Sequence, residues 1–230
     1  FFQKLYIYYI YIYIMCFSFQ ESIRSFTFSF ILSTIKIFNR HNNHPHDFVT
    51  ALFIIVFSLV QLIEACMWKF YDSNKKILKL CGYLVKPTIL LQPLTISFGM
   101  RYLLQKENKN LFVINLISAL SLLICINYMI KLRYKNIKFP TIGPNNHLQW
   151  DGISYDEQNI SLLGIQTKYL YILTVFIPAI LYLQPLRKRF MFLTFYSITF
   201  LLSKYFYEKS NEESSYWCYI ANFSAFFQFL

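Results

Sequence analysis

The chain has 230 residues, of which 56% are hydrophobic, 20% aromatic and 14% charged, with a mean hydropathy of +0.39 and a formal net charge of +11. An ordinary soluble domain carries about 25% charged residues and a disordered chain is poor in aromatics, so neither class fits. The composition is that of a polypeptide dissolved in lipid. It predicts an all-α integral membrane helical bundle of about seven transmembrane helices.

Phe (25) and Tyr (19) abound while Gly is found only 5 times, a signature of AT-rich coding DNA, so the aromatic excess is not read as a binding surface. Residues 1–14 alternate Ile and Tyr and are read as upstream of a start at Met15. The alternative is a short extra hydrophobic segment, since about 14 residues at 1.5 Å each fall short of a ~30 Å hydrocarbon core. Residues 15–230 then form a single polytopic membrane domain. Its apolar stretches are 17–38, whose SFTFSF alternation makes it the weakest, 48–68, with Glu64 as its only charge, and 80–100, which contains Lys86. There follow the uncharged 110–130, then 169–186 with Pro178 inside, 190–206, and the uncharged 214–230, with Trp217 and Tyr219 near its start as interfacial aromatics. A long loop, 131–168, separates the fourth span from the fifth.

The basic residues cluster at span ends, where they report topology rather than nucleic-acid binding. With alternating helices, the connections after spans two, four and six hold eleven: Lys69, Lys75, Lys76, Lys79, Lys131, Arg133, Lys135, Lys138, Lys168, Lys204 and Lys209. The other side holds seven: Arg40, Arg101, Lys106, Lys109, Arg187, Lys188 and Arg189. This asymmetry puts the even-numbered connections and the N-terminus in the cytoplasm. The five cysteines show neither CxxC nor metal-ligand spacing, so no disulfide framework is expected.

Ionisable and amide groups at membrane depth are costly, about 2.5–3.5 kcal/mol for a charge at a helix centre, and face the bundle interior. Ser58, Gln61, Glu64 or Ala65, and Trp68 follow helical spacing and form one inward polar stripe. Lys86, just before Pro87, is the natural partner of Glu64, the alternative being that it snorkels to the interface. Gln92, beside Pro93, adds an amide to the same interior. Gln61, Glu64, Trp68, Lys86 and Gln92 are therefore the candidate ligand site, and an interhelical polar clamp is the competing reading. His41, His44 and His46, with Asp47, make a weak candidate metal cluster, because Pro45 breaks its helical spacing and no fourth ligand is specified. The loop segment Gly143-Pro144-Asn145-Asn146-His147-Leu148-Gln149-Trp150 combines turn formers with His and Trp; it reads either as functional or as a turn re-entering the headgroup region on Trp150.

No P-loop, GxSxG or dinucleotide fingerprint is present, and the last span has no Lys for a retinal Schiff base. An enzyme is accordingly the minority reading, and no cofactor is expected.

Met15-Cys16-Phe17-Ser18 with Ser25-Phe26, Gln61-Leu62-Ile63-Glu64 with Trp68, Gly143-Pro144-Asn145 with His147-Leu148 and Trp150, and Ser215, Trp217-Cys218 with Ala221-Asn222 appear in this order. In that order they resemble an uncharacterised multi-pass membrane family of giant viruses with bacterial relatives beginning MCFS, for which no activity is assigned. The resemblance implies a start at Met15 and about seven spans. It adds Cys16, Asn145, His147, Trp150, Trp217 and Cys218 as loop and terminal candidates, Cys16 becoming N-terminal once Met15 is removed. The functional expectation is a membrane protein binding or moving a small solute, ion or lipid at an internal polar site. The alternatives are a structural or scaffolding protein and, below both, a membrane-bound enzyme using Cys16 or His147. Its expected partners are the bilayer, anionic lipid headgroups and, as an open option, a second copy of the chain.

Overall fold

The computed structural model describes residues 18–39, 45–133, 139–150, 161–162, 165–207 and 213–229. Helices α1 (Phe19–Phe38), α2 (Pro45–Phe70), α3 (Lys75–Lys106) and α4 (Phe112–Arg133) come first. After them stand α5 (Thr167–Tyr182), α6 (Leu186–Tyr207) and α7 (Glu213–Ala221), the last continued by a 3-10 helix, Asn222–Phe229. Two short antiparallel hairpins lie in the long connection: β1 (Thr141–Ile142) with β2 (Leu148–Gln149), and β3 (Ser161–Leu162) with β4 (Ile165–Gln166). The architecture is an all-α bundle. The segments Pro45–Phe70, Lys75–Lys106 and Phe112–Ile130 are long and apolar enough to cross a membrane.

The alternation in the first apolar stretch belongs to a helix. Ser22, Ser25, Ser29 and Ser33 recur at helical spacing and are all buried, whereas Phe28, Phe30, Ile31 and Ile35 face outward. Ser18 caps this helix, its hydroxyl accepting from the Glu21 N–H. The same inversion recurs on α4, where Ser118 and Ser121 are buried and Leu116, Leu122, Leu123 and Ile126 exposed, and on α6, where Thr199 and Ser203 are buried and Ile198, Leu201 and Leu202 exposed. Each of these buried hydroxyls on α4 and α6 donates to the carbonyl four residues earlier, so small polar side chains enter the interior without an orphaned donor.

Helix α3 starts on Asn74, whose Oδ1 accepts from the N–H groups of Lys76 and Ile77 at 3.1 Å, and continues through Pro87 and Pro93 as one helix. It ends on Asn108 in the left-handed region (φ 52°), with the Lys109 N–H returning to the Leu104 carbonyl at 3.0 Å. Helix α2 is central, packed on both α1 and α3. Its Phe53 and Phe57 meet Phe192 and Tyr196 of α6 and Trp217 of α7 at ring-centroid distances of 5.6–5.7 Å. Offset and edge-on aromatic pairs of this kind add to area burial.

Two expectations need correcting. Pro45 does not break the His-rich cluster into a loop: it opens α2, where a missing N–H costs nothing, and places His46 and Asp47 in a buried first turn. His41 and His44 lie outside the described residues. The stretch 214–230 is not one α-helix, because it changes to 3-10 geometry at Asn222. The Asn222 carbonyl there accepts from Ser29 Oγ at 2.8 Å and its Nδ2 donates to Ser25 Oγ at 3.1 Å, bonds to α1 that fix the backbone at the change of pitch.

Gly99 of α3 packs directly on Val49 of α2: a Cβ there would sit 2.7 Å and 3.0 Å from the two γ-methyls of Val49. A branched side chain cannot turn both methyls away. Gly99→Ala is therefore expected to cost about 1–3 kcal/mol of stability, partly recovered by Val49→Ala, in thermal unfolding of the detergent-solubilised protein.

Candidate functional site

Glu64 lies in the last third of α2 and is 2% exposed. An acid so buried requires donors, and three separate segments supply them. Gln61, one turn earlier, donates from Nε2 to Oε2. Trp150, at the end of the β1–β2 hairpin, donates from Nε1 to Oε1 at 2.7 Å, and Ser215, in the first turn of α7, donates from Oγ to the same oxygen.

The hairpin reaches this depth because it is itself docked into the bundle. Gly143 N–H bonds to the His147 carbonyl at 2.8 Å and Asn146 adopts φ 61°, a left-handed conformation that Asn tolerates, so the Gly-Pro-Asn-Asn-His segment closes as a tight turn. Pro140 packs on Gly82 of α3, where a Cβ would come within 2.9 Å of Pro140 Cγ, and Tyr71 donates no proton here but accepts from the Ile142 N–H at 3.2 Å. Leu148 and Trp150 are 1% and 5% exposed. The expectation of a headgroup anchor at Trp150 is thus replaced by a buried hydrogen-bond donor. Asn145 is half-buried in the turn, and His147 lies against the Tyr216 ring at 5.5 Å between centroids.

Cys218, on α7, is buried, and Lys86, on α3, is half-buried. Gln92, on α3, accepts from the hydroxyl of Tyr171 on α5. Tyr171 in turn meets Trp217 edge-on at 6.4 Å. Trp217 also packs against Phe57 and Phe200 at 5.6 Å and 5.3 Å, so it is a core residue rather than the interfacial aromatic expected of it. Gln61, Glu64, Trp150 and Ser215 thus form one buried polar group, and Trp217, Tyr171 and Gln92 a second, with α7 contributing a residue to each. Three of their buried polar atoms, Gln61 Oε1, Gln92 Nε2 and Trp217 Nε1, have no hydrogen-bond partner. Trp68 is half-buried against the same apolar core.

A second polar cluster joins the opposite ends of the helices. Asp47, 3% exposed, accepts from Lys188 Nζ at 2.8 Å and 2.9 Å and stands 3.3 Å from Lys36 Nζ, while His46 Nε2 is 3.8 Å from Glu107 Oε1. Beside it a cavity of about 40 Å³ is lined by Thr50, Ile54, Tyr196 and Ser224 among others, room for one water. Among the described residues no three His, Cys, Asp or Glu side chains converge as metal ligands. Cys16 lies outside those residues. Sequence reasoning missed Tyr171, Lys188 and the role of Asp47; the one available signal was an acid in the first turn of a strongly apolar helix, which demands a cation in three dimensions.

No family model, curated protein or solved structure matches the chain.

Two measurements probe this geometry. Trp150→Phe preserves the ring but leaves Glu64 one donor short, and is expected to cost about 1–3 kcal/mol in chemical or thermal unfolding. Burial pushes the His147 imidazole down to about 3, so between that value and 6.5 the unfolded chain binds a proton that the folded chain refuses. Stability is present above pH 6.5 and lost as pH falls below it. About 2 kcal/mol should disappear between pH 6.5 and 5, and His147→Gln should flatten that dependence in pH-resolved unfolding.

Proposed function

We propose that the chain is a seven-span membrane protein that binds a small polar solute or cation in the internal network around Glu64. The observation that carries the reading is the set of buried polar side chains around Glu64 and Gln92, in which Gln61 Oε1, Gln92 Nε2 and Trp217 Nε1 have no hydrogen-bond partner. A native interior leaves few such atoms, and a bound water, ion or ligand is one way in which they are satisfied. Gln61 Oε1, an acceptor beside a carboxylate, suits a cation or a donor group; Gln92 Nε2 and Trp217 Nε1, both donors, suit an acceptor on the same solute.

Seven spans are supported by the inverted distribution of polarity, hydroxyls inside and Phe, Leu and Ile outside, on helices α1, α4 and α6. Length agrees as well. Nine α-helical residues followed by eight in 3-10 geometry rise about 30 Å, the thickness of a hydrocarbon core, so the last segment reaches across in spite of its change of pitch. In this reading the basic Lys69–Lys79 connection and the N-terminus face the cytoplasm and attract anionic headgroups.

A second reading, a packing clamp, is favoured by the saturation of Glu64 with three donors from three segments. The two are separated by native mass spectrometry of the purified protein and of Glu64→Gln, an isostere that still accepts from Trp150. A small-molecule or metal adduct in the wild type that is absent from an equally folded variant is expected. Bare protein in both, with the variant only less stable, leaves the clamp.

A further inference from the structure

The cavity beside the Asp47 cluster is bounded mainly by α2, α6 and the closing 3-10 helix, which bring the polar side chains of Asp47, Thr50, Lys188, Tyr196 and Ser224 to its wall. The rest of that wall is apolar, as at Phe192. The proton count on the polar groups leaves donors over. Tyr196 Oη and Ser224 Oγ stand 2.7 Å apart, both residues are buried, and either hydroxyl can donate to the other. Two hydroxyls bring two protons and their mutual bond uses one, so the second proton meets no acceptor among the described residues. Lys188 Nζ places two bonds on Asp47, at 2.8 Å and 2.9 Å, and an ammonium carries a third N–H. Thr50 spends its single proton on the carbonyls of His46 and Asp47 and lends the cavity no donor.

Charge is in surplus with the same sign. Lys188 and Lys36 set two positive charges on the one carboxylate of Asp47, and Arg187 and Arg189 flank Lys188 in the first turn of α6.

We propose that this cavity is a binding site for a single small monovalent anion of the halide class. The spare hydroxyl proton of the Tyr196–Ser224 pair and the third N–H of Lys188 supply its hydrogen bonds, both strengthened by the charge of the ion. The Asp47 carboxylate shares the wall, but its charge is engaged by the two lysines. A volume of about 40 Å³ admits a halide, which is close to a water in size, and is too small for a sulfate or an organic acid. A water satisfies the hydroxyl proton and leaves the surplus positive charge uncompensated beside apolar side chains; an anion answers both. The site lies in the Asp47 cluster, apart from Glu64, and does not depend on a ligand there.

The test is the linewidth of the chloride NMR signal over the purified wild-type protein in neutral detergent, at constant ionic strength made up with sodium gluconate. Broadening that saturates with chloride and is removed by bromide but not by sulfate is expected. The double variant Tyr196→Phe, Ser224→Ala removes both hydroxyls and keeps the aromatic ring; its chloride affinity should fall about tenfold, the worth of one hydrogen bond to an ion. Saturable broadening of equal affinity in a folded double variant, or displacement by sulfate as readily as by bromide, places the chloride on the basic surface and overturns the proposal. The absence of saturable broadening in the wild type leaves the cavity to water and overturns it as well. Saturation and displacement are both read on the wild type, so the outcome stands even where the variant fails to fold.

Discussion

A single buried carboxylate organises one end of this molecule. Glu64 is excluded from water, and its hydrogen-bonding needs are met by Gln61 one turn earlier on its own helix and by two groups remote in sequence, Trp150 at the close of a hairpin and Ser215 at the start of α7. Leaving such a group unmet costs more than any one of the bonds contributes net, so each of the three segments is held in place by the penalty for its absence. The hairpin turn, the packing of Pro140 on Gly82 and the Tyr71–Ile142 contact are the local means by which that requirement is satisfied.

On α1, α4 and α6 the outward faces are apolar and hydroxyls turn inward. Serine and threonine occupy helix-facing positions, where their small size lets backbones approach and their hydroxyls bond back along the helix, and large apolar side chains point outward. In water such a surface would drive aggregation; in lipid it is the ordinary solvated state. The Asp47 cluster at the far end obeys the same logic as Glu64, with the charge balanced by Lys188 and Lys36 instead of by neutral donors.

Much of this was legible in the residues. Of the predicted stripe, Ser58, Gln61, Glu64 and Ala65 are buried and Trp68 is half-buried, because period and burial are local properties of one helix. Helix ends were legible less well: α2 begins at Pro45 and α3 runs from Lys75 to Lys106, beyond the apolar windows, since capping by Asn74 and the Pro45 start depend on polar residues that a hydropathy window discards. What could not be read were pairings across the bundle, such as Asp47 with Lys188 and Tyr171 with Gln92. No periodicity encodes which helix faces which. Trp150 and Trp217 show the same limit from the other side, for an aromatic near a span end reads as interfacial until the fold shows a carboxylate or an aromatic cluster waiting for it.

The span of sequence bridged by the Glu64 contacts has a consequence for biosynthesis. Trp150 follows Glu64 by 86 residues and Ser215 by 151. At about 5–20 residues per second, the ribosome delivers Ser215 about 8–30 s after Glu64 has been made. For that interval the acid is an unfinished socket, and the chain must shelter it by protonation, by water or by the insertion machinery until its later partners emerge. Helix α7 thus acts as a latch on an assembly begun much earlier, and its arrival is registered chemically at Glu64.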